Sequence, residues 1–413
     1  MSEQQKRLVP KLRFPEFRGL QSWQPRKLSD ACEVNPSSPV LPEQFVYIDL
    51  ESVEAGKLIT KKIVKKNEAP SRAQRVLHVG DVIFQMVRPY QRNNLFFEEN
   101  DDSSYVASTG YAQLRAKESP EFLFQAIHVD DFVNRVIAKC TGSSYPAINS
   151  SDLAEMLLVV PSSDEQQKLA DCLSSLDELI AAQARKVEAL KTHKKGLMQQ
   201  LFPREGKTQP RLRFPAFRGD WEVRKLGTVC DIQRGKFSYR PRNDPKFFGG
   251  QYPFIQTGDV VKSNGGAVIA SQSLNEEGLS VSKLFKPTIV LITIAANIGD
   301  TGLLDMEGCF SDSVVGLISN KHVISVFLEL IMRGQKEYLN KVATTGAQKN
   351  INNEILRVVD IQLPSVSEQH RIADCLTSLD ALITAATEEL DTIKTHKKGL
   401  MQQLFPSAEA LEA

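Results

Sequence analysis

The strongest constraint on this chain is that much of it is written twice. Residues 10–19 (PKLRFPEFRG) return as residues 210–219 (PRLRFPAFRG), an offset of 200. Residues 23–28 (WQPRKL) return as 221–226 (WEVRKL) at an offset of 198, because the second copy is two residues shorter between Gly219 and Trp221. Residues 165–180 (EQQKLADCLSSLDELI) return from Glu368 as EQHRIADCLTSLDALI, and residues 192–203 (THKKGLMQQLFP) return letter for letter at 395–406, both at an offset of 203. A tandem duplication of about 200 residues restricts the fold to two like halves.

The copies agree at their ends and diverge inside. Residues 30–140 and 228–343 share little beyond an order of elements. Each interior holds short β-branched runs punctuated by Gly, Asn and Asp, which read as strands: FVYIDL, KLITKKIV and VIFQMV in the first, YPFIQ, AVIA and TIVLITIA in the second. A helix-like stretch then ends near 134–136 or 340–342, followed by a Thr-Gly loop and an Ile-Asn pair at Ile148 and Asn149 or Ile351 and Asn352. Drift of surfaces and loops produces such divergence. Two modules doing one kind of job on different targets produce it too.

Between Asp164 and Phe202 the only glycine is Gly196 and there is no proline until Pro203, so one long helix is expected. A 4,3 spacing selects Leu169, Leu173, Leu176, Ile180, Gln183, Val187, Leu190, Lys194, Leu197 and Leu201. The second copy gives Ile372, Leu376, Leu379, Ile383, Ala386, Leu390, Ile393, Lys397, Leu400 and Leu404. A period of 3.5 held over more than four heptads is a coiled-coil seam, on arms ~60 Å long. The economical partner of one arm is the other, and an antiparallel closure is favoured. Ser163 before Gln166 and Ser367 before Glu368 offer caps. The seam lysines Lys194 and Lys397 either fix register or belong, with His193, Lys195, Gln199, His396, Lys398 and Gln402, to two identical patches that dock two copies of a partner.

Catalytic chemistry is hard to find. The chain has no HExxH, CxxC, GxSxG or GxGxxG pattern and no Pro-Pro. Gly206-Lys207-Thr208 mimics the end of a phosphate loop, but Leu201 stands where its first glycine belongs. Six scattered cysteines suggest neither zinc nor disulfides. No window approaches a membrane span and the start lacks a secretory h-region, so a cytoplasmic protein is expected. No metal site or bound cofactor is expected of this chain.

Binding signals are more positive. Lys plus Arg (51) nearly balances Asp plus Glu (50), so any nucleic-acid contact must be local. In the first module Lys57, Lys61, Lys62, Lys65, Lys66, Arg72 and Arg75 cluster, followed by Arg88, Arg92, Asn93 and Asn94 on an expected loop. In the second, Arg234, Lys236, Tyr239, Arg240, Arg242 and Lys246 interleave with Phe237, Phe247 and Phe248. Arginine and lysine reach guanine O6 and N7, asparagine pairs with adenine, and lysine neutralises phosphate. A solvated loop face is the plainer reading of any single residue. One cluster per module would suit two DNA half-sites one to two helical turns apart.

The order Trp-x-x-x-Lys-Leu, variable interior, Gly-to-Ile-Asn segment (142–149, 346–352), strand ending at Pro161 or Pro364, then Glu-Gln-x-x-Leu/Ile-Ala-x-x-Leu-x-x-Leu-Asp resembles the specificity subunit of type I restriction-modification enzymes. The resemblance covers nearly the whole chain, twice. It implies an α/β chain: two similar α/β target-recognition domains, each followed by a long helix, the helices pairing as an antiparallel coiled coil in a pseudo-twofold internal duplication. The expected boundaries are 1–161, the first recognition domain; 162–203, the first spacer helix; 204–220, a linker with the repeated opening motif; 221–364, the second recognition domain; 365–406, the second spacer helix; and 407–413, a tail. The resemblance further implies a DNA-binding subunit without catalysis that reads a gapped asymmetric site. Its partners would be double-stranded DNA, two methyltransferase subunits methylating adenine N6, and two restriction subunits, with S-adenosylmethionine, ATP and Mg2+ used in those other subunits. A coiled-coil scaffold presenting two protein-binding domains, and a self-sufficient fused methyltransferase, are the alternative classes.

Overall fold

The computed structural model describes residues 8–37, 40–204, 206–295, 297–343 and 350–406. The chain divides into two compact units, Met1–Lys186 with Ala386–Ala413, and Val187–Ala385. Each long helix contributes to both.

The first unit contains strands β1 (Gln24–Lys27), β2 (Cys32–Val34), β3 (Gln44–Ile48), β4 (Val53–Glu54), β5 (Lys57–Leu58), β6 (Lys62–Lys65), β7 (Ala73–Val76), β8 (Val82–Gln85), β9 (Leu95–Phe96), β10 (Tyr105–Ser108), β11 (Tyr111–Ala116) and β12 (Leu157–Val160). They form two four-stranded sheets, β2-β11-β8-β9 and β6-β3-β10-β7, with β1 paired antiparallel to β12. β8 is buried on both faces, and the period of two sorts its side chains. Val82 and Phe84 enter one core with Phe122 and Phe132, from the helices Pro120–Ala126 and Asp130–Lys139. Ile83 enters a second core between the sheets with Ile48, Leu95 and Tyr111.

The second unit contains β13 (Glu222–Lys225), β14 (Cys230–Arg234), β15 (Phe248–Ile255), β16 (Gln272–Leu274), β17 (Leu284–Phe285), β18 (Ile289–Thr293), β19 (Thr301–Leu304), β20 (Gly308–Phe310), β21 (Val314–Ser319) and β22 (Asp360–Leu363). Its sheets run β14-β21-β18-β19 and β16-β15-β20-β17, with β13 on β22, which is the order of the first unit strand for strand. Even the single parallel pair recurs, β10 with β3 and β20 with β15. β18 repeats the two-faced sorting of β8: Val290 and Ile292 face the helix-side core, Ile289 and Leu291 the other. The divergent interiors therefore share one topology.

Two strand expectations change. KLITKKIV is split, because Ala55 and Gly56, both at positive φ, turn β5 back onto β4 before β6 begins. AVIA forms no strand: Ala267 makes one bridge to Leu303 and Val268 is buried beside it. The Thr-Gly loop of the second copy, with Gly346, lies outside the described residues.

The long helices run Ser163–Leu201 and Val366–Leu404, 39 residues each. Their caps lie one and two residues before the expected ones. Gln166 N donates to the Ser162 carbonyl and Gln369 N to that of Ser365, so Ser162 and Ser365 cap in place of Ser163 and Ser367. The seam positions face inward. Leu169, Leu173, Gln183, Val187, Lys194 and Leu201 are buried, as are Ile372, Leu376, Ala386, Leu390 and Leu404.

In the first unit Gln183 Nε2 donates to the Ala386 carbonyl at 2.9 Å and to Glu389 at 2.7 Å, while Lys397 Nζ meets Asp177 at 2.6 Å. One residue number rises as the other falls, so the helices are antiparallel there. In the second unit Lys194 pairs with Asp380, again antiparallel. Each ion pair joins the lysine of one THKKG segment to the aspartate that closes the other copy's Leu-x-x-Leu-Asp motif.

The opening motif is explained by the helix starts. Arg13 forms a two-pronged ion pair with Glu165, at 2.8 and 2.7 Å, and Arg213 does the same with Glu368, at 2.8 and 2.8 Å. Both glutamates are 1 % exposed. Beside each joint lies an aromatic cluster that borrows its last ring from the other copy's helix. Phe405 packs on Trp23 and Phe122 in the first unit, and Phe202 packs on Trp221 and Phe327 in the second.

Candidate nucleic-acid interface

The second unit gathers its cations in one place. Between β14 and β15 the chain makes an excursion, residues 235–247, where the first unit has only the shorter connection from β2 to β3. Gly235 anchors it, since a Cβ there would lie 2.2 Å from the Ser311 carbonyl oxygen. Beneath it Phe237, Phe247, Phe254, Leu274 and Cys309 form a small core.

Asp312 organises the surface. Its Oδ2 accepts from Arg240 at 3.0 Å and Arg242 at 2.5 Å, and its carbonyl accepts from Arg234 Nε at 2.5 Å. Arg240 also donates to the Phe237 and Tyr239 carbonyls. Lys246 Nζ sits 4.4 Å from the Tyr239 ring centroid and 3.3 Å from its hydroxyl, which raises the lysine pKa. Lys236 is exposed. A loop carrying four cations, with Arg234 at the end of β14 as a fifth, against Asp312 and Asp244 is a local electropositive face on a nearly neutral chain. Nothing in the sequence marked Asp312, which lies 70 residues or more from the arginines it holds.

The first unit distributes its candidates. Lys62 and Lys65 project from β6 and Arg75 from β7, opposite edges of the same sheet. Lys61 is held by Glu99 at 2.7 Å, a hydrogen bond that raises its pKa, and Lys66 by Glu43 at 3.5 Å. Arg72 is exposed. Arg75 Nε is buried without a hydrogen-bond partner, and desolvation lowers the pKa of its guanidinium.

The loop from β8 to β9 holds the rest. Arg92 pairs with Asp130 at 2.6 Å and donates to the His128 carbonyl, holding the Asp130 carboxyl below its usual range. Asn93 Oδ1 accepts from Ala55 N, so that side chain serves the loop itself. Arg88 alone stacks outward, over Tyr145.

The docking candidates separate in the same way. Lys194 and Lys397 point into the helix pair, where Asp380 and Asp177 engage them, the geometry that register fixing requires. A lysine at a seam position is drawn inward when a carboxylate from the facing helix can meet it. His193, Lys195, Gln199, His396, Lys398 and Gln402 are exposed. Of these, Lys398 lies 3.8 Å and Gln402 3.5 Å from Asp130.

Among the described residues no group of His, Cys, Asp or Glu could hold a metal ion, and no helix is long and apolar enough to cross a membrane. Burial pushes the Cys32 and Cys230 thiols up to about 12, so both are inert packing residues.

The model of the type I restriction modification DNA specificity domain matches this chain twice, over residues 21–192 and 218–395. The chain belongs to this family. A Methanocaldococcus jannaschii protein assigned as the type I restriction enzyme MjaX specificity subunit is 24% identical over 405 residues, 93% of each chain. The MjaVIII specificity subunit of the same organism is 24% identical over 317 residues, 69% of each. A solved structure described as the basis of complex assembly and conformational transition of the type I restriction-modification system is 26% identical, with a TM-score of 0.58 over 93% of this chain and 97% of that one. The S subunit of M. genitalium, 14% identical, shares the fold with a TM-score of 0.61 over 97% and 100%. The chain thus carries two target-recognition domains, and each matched segment also takes in most of the long helix that follows. As a specificity subunit, the chain is the non-catalytic DNA-recognition component of a type I system.

Proposed function

We propose that the chain selects a bipartite, gapped, asymmetric DNA site, one half per unit, and recruits two methyltransferase subunits and two restriction subunits to it. The observation that carries this reading is one strand order presenting two different sets of cations. A common frame supports a common task, and unlike loops support unlike half-sites.

Recruitment of two identical partners rests on matched surfaces. In the second unit a groove is lined by His193, Phe214, Arg371, Asp374 and Leu382. The same positions in the first copy are His396, Phe14, Lys168, Asp171 and Leu179, differing only in the exchange of Arg for Lys. Leu179 and Leu382 are 50% and 55% exposed, an apolar residue left uncovered twice. S-adenosylmethionine, ATP and Mg2+ would be bound by the partners, which methylate adenine N6 or translocate and cut DNA in the cytoplasm.

Single-molecule sequencing of N6-methyladenine in the parent strain and in a strain lacking this gene tests the reading. One gapped motif is expected to lose methylation in the deletion strain. Persistence of every motif, together with no salt-sensitive affinity of the complex for gapped duplexes, would leave the scaffold alternative.

A further inference from the structure

The cations of the first unit differ in whether their hydrogen-bonding groups are already engaged, and Arg88 stands apart. Its guanidinium lies with Cζ 4.3 Å from the Tyr145 ring centroid, and it meets no hydrogen-bond acceptor among the described residues. Tyr145 is itself 65% exposed. A guanidinium supported on an aromatic ring keeps its planar fork of donors for an incoming ligand while losing its freedom to swing.

Everything around Arg88 is fixed. Its N–H donates to the Pro146 carbonyl at 2.7 Å, and Val87 bridges to Ala147, tying this loop to the one that carries Tyr145. Behind it, buried Gln85 donates to Gln91 Oε1 at 2.8 Å and accepts from Asn93 N at 3.1 Å. Arg88 sits at φ 56°, in the left-handed region that favours glycine. A non-glycine residue held there by its surroundings points to a functional demand on its side chain. Arg92, at φ 55°, meets that demand internally through Asp130. Arg88 does not.

We propose that Arg88, carried on Tyr145, reads a guanine in the half-site bound by the first unit, donating to O6 and N7 in the major groove. This rests on the DNA-recognition reading above. A pre-aimed fork suits a base edge, whereas phosphate contact needs only charge and is served by the mobile lysines of β6. In the second copy the residue after Ala295 is Ala296, so its sequence places no arginine in register with Arg88. Ile294 and Ala295 take the places of Met86 and Val87, with Ile351 N on the Ile294 carbonyl as Ile148 N is on that of Met86.

The test uses the whole modification complex with R88G and R88K, on duplexes in which each base pair of the first half-site is replaced in turn. Wild type should lose ~10- to 100-fold in affinity at one G·C pair. Both variants should lose that discrimination, and genomic methylation should relax at that position alone. R88G relieves the left-handed backbone, so its melting temperature should equal or exceed that of wild type while reading is lost. R88K keeps the charge and not the fork.

An unchanged first half-site in both variants overturns the inference. So does weakening that is equal on all sequences with a salt slope shallower by about one, the signature of a phosphate contact. Absence of salt-dependent DNA affinity in wild type overturns the recognition reading itself, and this inference with it.

Discussion

The two units share a frame and differ in what hangs from it. Both use the same eight-strand order, the same arginine-glutamate joint at the helix start, and an aromatic cluster completed by the other copy's helix. They part at the loops. The second unit builds an aromatic-floored excursion whose arginines converge on Asp312, and the first builds a short hairpin and a glutamine-braced loop that turns Arg88 onto Tyr145. Sequence identity survives where residues join the long helices to the recognition domain within each unit. It is lost in the interiors and their loops, which is the division expected of one scaffold carrying two specificities.

The largest expected effect falls on the shared joints. Replacing Glu165 by alanine takes the counter-charge from the Arg13 guanidinium, leaving it only the Leu20 and Gln21 carbonyls, and should cost about 3 kcal/mol, read from urea unfolding. E368A should cost nearly as much. The two are not quite equal, because Trp23 Nε1 also donates to Glu165 at 3.3 Å whereas Trp221 Nε1 is buried without a partner. E165A should therefore exceed E368A by ~1 kcal/mol. Equal costs would mean that the tryptophan contact contributes nothing.

A smaller effect separates the units by pH. His128 Nδ1 lies 2.6 Å from the Phe124 carbonyl and Nε2 lies 3.2 Å from Asn94 Nδ2, an arrangement suited to the neutral ring. Desolvation, with Lys397 and Arg92 adding to it, holds its pKa down to about 4 from an ordinary 6.5. The unfolded chain therefore takes up the proton first as pH falls. The stability is present in full above pH 6.5 and is lost progressively towards pH 4, by ~2 kcal/mol since the residue as a whole is only half-buried. No described histidine of the second unit has its ring hydrogen-bonded in this way. Melting curves of wild type and H128Q should diverge over that window, and parallel curves would remove His128 as the cause.

The smallest effect concerns the helix seam. K194D or D380K alone should destabilise, and the double exchange should recover ~1 kcal/mol of coupling, modest because Asp380 is 46% exposed. K397D with D177K should give a similar coupling. Unequal couplings would show that the two copies of this pair are not interchangeable.

The repeats, both long helices, the seam and the family motifs were legible because each is carried by residue identity or by a fixed period. The common topology of the interiors was not. Strands of two to eight residues are specified by which faces are buried, and β8 and β18 reach the same two-faced burial with almost no shared residues. Contacts across long separations were equally hidden: Lys194 meets Asp380 and Arg242 meets Asp312 only once the fold exists. The cation clusters were visible as composition. Sorting Arg88 from Arg92 required knowing that Asp130 lies beside one and Tyr145 beside the other.

The central claim is that each unit specifies its own half-site on a frame indifferent to the sequence read. Exchanging residues 228–343 for the corresponding segment of another specificity subunit, and sequencing genomic N6-methyladenine in the host, tests it directly. The account predicts one half-site replaced, with the other half-site and the gap unchanged. Simultaneous change of both half-sites would contradict it.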